Sequence, residues 1–335
     1  MRRFTAIFCA AMAVAASGPA GAGEAAAAAA RSTPTPTPTP AADHHQHLFS
    51  PAAAAWMSSS IALASIDADA LVAQLDAVGI RRAAVLSAAY AYGLPARTIG
   101  HEYARVRAEN DWVAAQAARH PRRLVALCSF NPLKDYALLE LGRCATSPGF
   151  GRGIKLDFAA ADVQLDRPGH VERLRQVFRA ANARGMAIVL DMRASRALGR
   201  PYGAAQARVL LEQVLPFAPD VPVQVSHLAG NGPGFGDTPA REALAVLAEA
   251  AARQDPRMRQ VWFDVAAVVQ ADLPADEARR LVRRLRQVGL DRVLYGSDAP
   301  PGDGMAARGW EAFLRLPLDD AETARVARNV VPYLR

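Results

Sequence analysis

Residues 187–193 read AIVLDMR, four apolar residues followed by Asp191, Met192 and Arg193. An apolar run this short, closed by polar residues, reads as a buried strand with its chemistry at the C-terminal end. The same arrangement recurs in AADHHQHLF (41–49), AAVLSAA (83–89), LVALCSF (124–130), GIKLDF (153–158), VPVQVSHL (221–228), QVWFDVAAV (260–268) and RVLYGSD (292–298). Longer stretches rich in alanine, arginine and leucine separate these runs at helical spacing. PAREALAVLAEAAARQ (239–254) and PADEARRLVRRLRQVG (274–289) are two of them. Eight nearly continuous apolar strands, each followed by helical sequence, predict an α/β fold, the (β/α)8 TIM barrel. A doubly wound open sheet is the rival, but no glycine fingerprint follows the first strand to support it.

The barrel domain is expected over residues 43–335. Ahead of it, Arg2 and Arg3 precede the apolar run FTAIFCAAMAVAASG, and AGA ending at Ala22 supplies small residues for cleavage. Residues 1–22 therefore read as a signal peptide, which makes the mature protein periplasmic or secreted. The run is too short to span a bilayer, so no membrane anchor is expected after cleavage. Residues 23–42 are alanine-rich and then RSTPTPTPTPAA. Alternating Thr-Pro cannot form a helix, so this stretch reads as an extended linker. Beyond the leader, the chain carries Cys128 and Cys144. An oxidising compartment permits a disulfide, although two thiols in a chain of this size are expected as separate buried side chains. The net charge of +7 comes almost wholly from arginine, with Lys134 and Lys155 the two lysines. Those arginines are scattered among acids, and no basic run interleaves with aromatics. Nucleic acid is therefore not the expected partner. A small-molecule substrate is, and homo-oligomerisation is left open.

The polar residues gather at the strand ends, which in a TIM barrel surround the active-site mouth. Side chains alternate along a strand, so His45 and His47 point to one side and His44 to the other. Two imidazoles at i and i+2 can grip one metal ion. Hydrogen-bonded core histidines are the alternative, since burying two imidazoles without partners is costly. Asp298, closing the eighth strand, can bind the metal and take a proton from its water. Its alternative role is a helix N-cap. On the sixth strand Val223, Val225 and His227 share a face, which aims His227 into the mouth, to polarise a substrate carbonyl or bind a second metal; a packed histidine bonded to backbone is the alternative. The chain has no G-x-S-x-G elbow, no P-loop and no HExxH. The glycines of AGNGPGFGD (229–237) read as a mouth loop rather than a phosphate cradle.

HQH (45–47), SHLAG (226–230) and YGSD (295–298) together resemble the amidohydrolase superfamily, in particular its amidohydrolase 2 branch of metal-dependent TIM-barrel hydrolases and decarboxylases. ENDWVAAQAARHPRRLVALCSFNP (109–132) and RVARNVVPYLR (325–335) add softer likenesses, so the resemblance covers Asp43 to Arg335. It implies metal binding by His45, His47 and Asp298, with His227 near the substrate. The family usually places a histidine ligand at the end of strand 5, where this chain has Asp191. On strand 4, Asp157 stands where many relatives have histidine. Aspartate is a competent ligand for zinc or manganese. The expected set is thus His45, His47, Asp191 and Asp298 around one divalent ion, zinc before manganese.

Lys155 shares a strand face with Asp157, as Arg193 does with Asp191. Lys155, Asp157 and Arg193 are expected to bind substrate, with Lys155 on a substrate carboxylate or in an ion pair with Asp191 or Asp157. A carbamylated lysine bridging two metals, or a lysine snorkelling to the rim, are its alternatives. The expected function is a hydrolase acting on a small anionic substrate, a carboxylate-bearing lactone, amide or related C–O or C–N compound. The metal would activate water, Asp298 would be general base and His227 would polarise the carbonyl. A decarboxylase on the same scaffold is one alternative. A catalytically impaired binding protein, with strands 4 and 5 altered, is the other.

Overall fold

The strands β1 (Asp43–Leu48), β2 (Ala83–Ser87), β3 (Leu124–Ser129), β4 (Gly153–Asp157), β5 (Ala187–Asp191), β6 (Val223–Val225), β7 (Val261–Asp264) and β8 (Val293–Leu294) form one sheet in sequence order. Every neighbouring pair is parallel. β8 returns to β1: His44 N–H donates to Tyr295 O and Asp298 N–H donates to His45 O, each at 2.9 Å. The result is a (β/α)8 TIM barrel, as the strand count required. Gly296 permits the closure, since a Cβ there would sit 2.8 Å from His45 Cβ.

This computed structural model describes residues 37–58, 64–150, 152–298 and 305–335. The signal-peptide reading and most of the linker lie outside the described residues. Pro38–Arg335 is one compact unit. At its start Trp310 Nε1–H donates to Pro38 O at 2.8 Å, and Ala41 N–H donates to Ala327 O at 2.7 Å.

Two apolar shells flank the strands. Inside, Ala84, Leu86, Leu127, Ala187, Val189 and Leu294 pack against Val331, Tyr333 and Leu334, so the C-terminal segment fills the barrel end opposite the mouth. His44 belongs to this layer. Its Nδ1–H donates to Tyr295 O at 2.7 Å and its Nε2 accepts from Val331 N–H at 3.3 Å. Both nitrogens are thereby used, and burial holds its pKa down at about 4. Outside, amphipathic helices cover the barrel. The helix Ala275–Val288 buries Ala278, Leu281, Val282, Leu285 and Val288, a stripe at helical spacing, and leaves its arginines on the other faces.

The structure makes two corrections to the sequence reading. Cys128 on β3 and Cys144 on the helix Ala137–Thr146 form a disulfide rather than separate thiols. Cys128 faces outward onto the helix that covers its own strand, which brings the two Cα atoms to 6.3 Å, within bridging range. The sixth strand also stops at Val225, short of His227. Residues 227–230 instead make a left-handed turn, with φ of 52°, 45° and 63° at His227, Leu228 and Ala229 and 76° at Gly230. Non-glycine residues resist this region by about 1–2 kcal/mol each, so tertiary contacts must hold the turn. Among the described residues no helix is long and apolar enough to cross a membrane.

Candidate metal centre

β1 carries His45 and His47 two residues apart, so both rings enter the mouth, with centroids 5.3 Å apart. The hydrogen bond at each Nδ1 fixes what each Nε2 can do. His45 Nδ1–H donates to Asp264 Oδ2 at 3.1 Å and His47 Nδ1–H donates to Leu86 O at 2.7 Å. Each ring is thereby held in the tautomer whose Nε2 bears a lone pair. Burial keeps His47 neutral by pulling its pKa to about 4, against the opposing pull of Asp298. Both lone pairs face Asp298 Oδ1, at 3.9 Å from His45 and 3.8 Å from His47.

Asp298 is 33% exposed, so its carboxylate reaches the open mouth. Its place is set from behind by Asp43, fully buried at the start of β1. The Asp43 carboxylate accepts from His45 N–H, Ser297 N–H, Ser297 Oγ–H and Gln46 Nε2–H, between 2.6 and 3.1 Å. That bracket ties the residue before Asp298 to the strand that bears the histidines.

The three facing atoms fit a divalent ion. Zinc bonds of about 2.1 Å in a tetrahedron separate ligand atoms by about 3.4 Å, and the three atoms lie within 4.8 Å of one another, so the side chains need only draw inward to hold an ion. Two neutral imidazoles and one carboxylate are also a donor set that zinc and manganese accept. Two other groups of potential ligands occur among the described residues. Cys128, Glu140 and Cys144 are committed to the disulfide. In the set His45, His227 and Asp264, the carboxylate is consumed by hydrogen bonds. Asp264 accepts from His45 Nδ1–H, Gln224 Nε2–H at 2.6 Å, His227 N–H at 2.8 Å and Ala266 N–H at 3.2 Å. Burial raises the Asp264 pKa, and His45 and these donors more than reverse it, leaving the carboxyl well below the usual range.

Asp191 joins none of these groups. Its Oδ2 accepts from Lys155 Nζ at 2.9 Å, and its Oδ1 lies 3.3 Å from His227 Nε2. The β4–β5 register puts Asp157 beside Asp191 and Lys155 beside Val189, which lets the long lysine side chain reach across to Asp191. Burial pushes the Asp191 pKa upward, but Lys155, His227 and His45 drive it far below the ordinary carboxylate range. His227 answers in the opposite sense. Burial lowers its pKa, while Asp191, Asp298 and Asp264 lift it above the ordinary value. Its Nδ1–H donates to Ala266 O at 2.8 Å, and the Asp264 grip on its backbone N–H anchors the left-handed turn.

Asp157 caps the short helix Phe158–Ala161, accepting from Ala160 N–H at 2.8 Å. Burial, and then the Asp191 charge, lift its pKa to about 6. Tyr90, which follows β2, reaches the same region. Burial and then Asp157, Asp191 and Asp298 raise its phenol well above the ordinary value. Arg193 stacks on Tyr202, 4.6 Å from the ring centroid. Its Nη1 lies 2.9 Å from Asp237 Oδ2 but out of line for a hydrogen bond, and its buried Nε has no acceptor among the described residues. Arg196 pairs with the same Asp237 oxygen. Two guanidiniums thus share one carboxylate beside a cavity of about 320 Å³ lined by Asp157, Asp191, Arg193 and His227. Gly230 makes room for Arg193, because a Cβ there would lie 2.7 Å from Arg193 Cβ.

Asp264, Tyr90 and Asp237 were not anticipated as site residues. Asp264 ends its strand as Asp157 and Asp191 end theirs, so a signal was there to be read.

An eight-stranded barrel with two imidazoles and a carboxylate converging at its mouth defines a metal-dependent TIM-barrel enzyme. The amidohydrolase family model matches residues 42–329, and the chain belongs to that family. It is accordingly a metal-dependent enzyme of the amidohydrolase type. No curated protein sequence matches it. Among solved structures it is similar to 2,6-dihydroxybenzoate decarboxylase complexed with 2,6-dihydroxybenzoate, at 16% identity and a TM-score of 0.59 over 87% of this chain and 97% of that one. It is also similar to dihydroxybenzoic acid decarboxylase from Polaromonas sp. JS666 with bound manganese, at 15% identity and 0.58 over 87% and 95%. An amidohydrolase from Burkholderia multivorans with bound zinc matches at 18% identity and 0.57 over 86% and 96%. At such identities these likenesses speak to the fold.

Proposed function

We propose that this protein is an exported hydrolase that holds one divalent ion, zinc or manganese, on His45, His47 and Asp298 and cleaves a small carboxylate-bearing lactone, amide or related compound. The observation that carries this reading is the convergence of His45 Nε2, His47 Nε2 and Asp298 Oδ1 at the barrel mouth. A divalent ion bound there supplies Lewis-acid polarisation and lowers the pKa of water. Asp298, partly exposed beside it, takes the proton of the attacking water. His227, raised in pKa beside Asp191, presents Nε2 to the developing negative charge on the substrate carbonyl. Arg193 lines the cavity, and the surplus positive charge of Arg193 and Arg196 over Asp237 favours an anionic substrate group there. Export is supported by the apolar leader after Arg2 and Arg3 and by the Cys128–Cys144 disulfide, a bond of oxidising compartments.

Decarboxylation is favoured by one specific feature. The Asp157 carboxyl, with a pKa of about 6, is a proton donor near neutral pH on the cavity wall, as protonation of a carbon after loss of carbon dioxide requires. The decarboxylases of similar fold act on dihydroxybenzoates by name. One screen separates the readings. Metal-stripped protein reloaded with zinc or manganese is offered lactones, amides and hydroxybenzoates, while carbon dioxide release and uptake of 18O from labelled water are recorded. Label in the product without carbon dioxide supports the hydrolase, and carbon dioxide without label replaces it with the lyase.

A further inference from the structure

Lys155 is one of two lysines in the chain and is fully buried inside the barrel mouth. Its Nζ lies 2.9 Å from Asp191 Oδ2 and 3.5 Å from His45 Nε2. The other nitrogen of His45 donates to Asp264, so Nε2 has only a lone pair to offer. That lone pair can accept an ammonium N–H or bind a cation, and it cannot do both.

We propose that Lys155 is a built-in competitor of the divalent ion: its ammonium contends for His45 Nε2 and holds the metal affinity down, while Asp191 restrains that ammonium. The inference rests on His45, His47 and Asp298 being the metal centre. Asp191 then works as a positioning residue that acts through Lys155. A buried ammonium within 3.5 Å of a ligand atom repels a doubly charged ion strongly, because few waters screen the pair. The carboxylate of Asp191 offsets part of that repulsion and draws the ammonium off the histidine.

The test measures metal affinity. Full-length, metal-stripped protein is titrated with Mn2+ and with Zn2+ against a chromophoric chelator, as wild type, Lys155→Met, Asp191→Asn and Lys155→Met/Asp191→Asn. Lys155→Met is expected to bind about tenfold or more tightly than wild type. Asp191→Asn is expected to bind more weakly, because its ammonium has lost the counter-ion and leans on His45. The double variant is expected to bind more tightly than wild type, and it carries the test if the single lysine variant fails to fold, since it removes both members of the Lys155–Asp191 pair. Were Asp191 itself a ligand, the double variant would bind as weakly as Asp191→Asn, and that result overturns the proposal. Equal affinity in all four forms, abolished by His47→Ala, overturns the role of Lys155 and leaves the metal centre standing. Absence of binding in every form overturns both.

Discussion

Asp264 receives four hydrogen bonds in a fully buried position and connects three functions: it orients His45, anchors the left-handed turn that presents His227, and joins the Gln224 layer beneath them. Asp264→Asn replaces an acceptor with a group that cannot accept at every contact. Metal affinity is expected to fall by about 10–100-fold, the usual result of losing a histidine's orienting carboxylate, and chelator competition measures it. Asp157 offers a test by pH. Its folded pKa of about 6 is raised by burial and then by Asp191, so the folded state binds the proton more tightly than the unfolded state does. Stability from this group is complete below its unfolded value near 4 and is lost as pH rises through about 6. Wild type is expected to lose thermal midpoint relative to Asp157→Asn across that window, and parallel slopes would contradict the shift. At this scale the sequence is legible where spacing alone aims a side chain, as with His45 and His47. Tyr90 is illegible because its direction depends on a turn after β2. The role of Asp191 is illegible because a partner on the neighbouring strand decides it.

The elements were read well where periodicity is strong. The helices Thr238–Ala252 and Ala275–Val288 match, to within a few residues, the stretches that helical spacing marks out. β6 was overread because Val223, Val225 and His227 alternate like a strand, whereas the Asp264 contact turns the chain at His227. The disulfide was missed because pairing needs the distance between a strand and its covering helix, which cysteine spacing does not contain. It encloses a sequence separation of 16 residues, and a loop of that size supports about 3 kcal/mol. Cys128→Ala/Cys144→Ala is expected to be less stable by about that amount in denaturant unfolding, and an unchanged midpoint would show the bridge to be energetically idle. The start of the fold is set by Pro38–Ala42. A chain beginning at Pro38 is expected to melt with the full-length protein, while one beginning at Asp43 lacks the Pro38 acceptor of Trp310 and the Ala41 bond to Ala327. Its midpoint is expected to be lower by several degrees, for a loss of about 1–2 kcal/mol, and equal midpoints would make that segment dispensable.

Across the whole molecule the architecture divides labour between the two ends of one barrel. The C-terminal segment seals one end with Val331, Tyr333 and Leu334, so His44 and Gln224 serve packing there. The other end gathers two imidazoles, a buried lysine and several carboxylates, whose mutual pairing sets which of them are free to act. Because every strand contributes one chain direction to the same mouth, the fold and the location of the chemistry were readable together from the strand ends. The partition of that mouth into metal ligands and ion pairs was not, since it turns on contacts between strands. The central claim is that His45 and His47 hold one ion together with Asp298. Metal content and affinity in wild type, His45→Ala, His47→Ala and the double variant test it most directly. One ion per chain is expected in wild type, nearly all of it lost in either single variant, with little further loss in the double because the two residues share a ligand. Retention of the ion by either single variant, or losses that simply add, would contradict a shared metal centre.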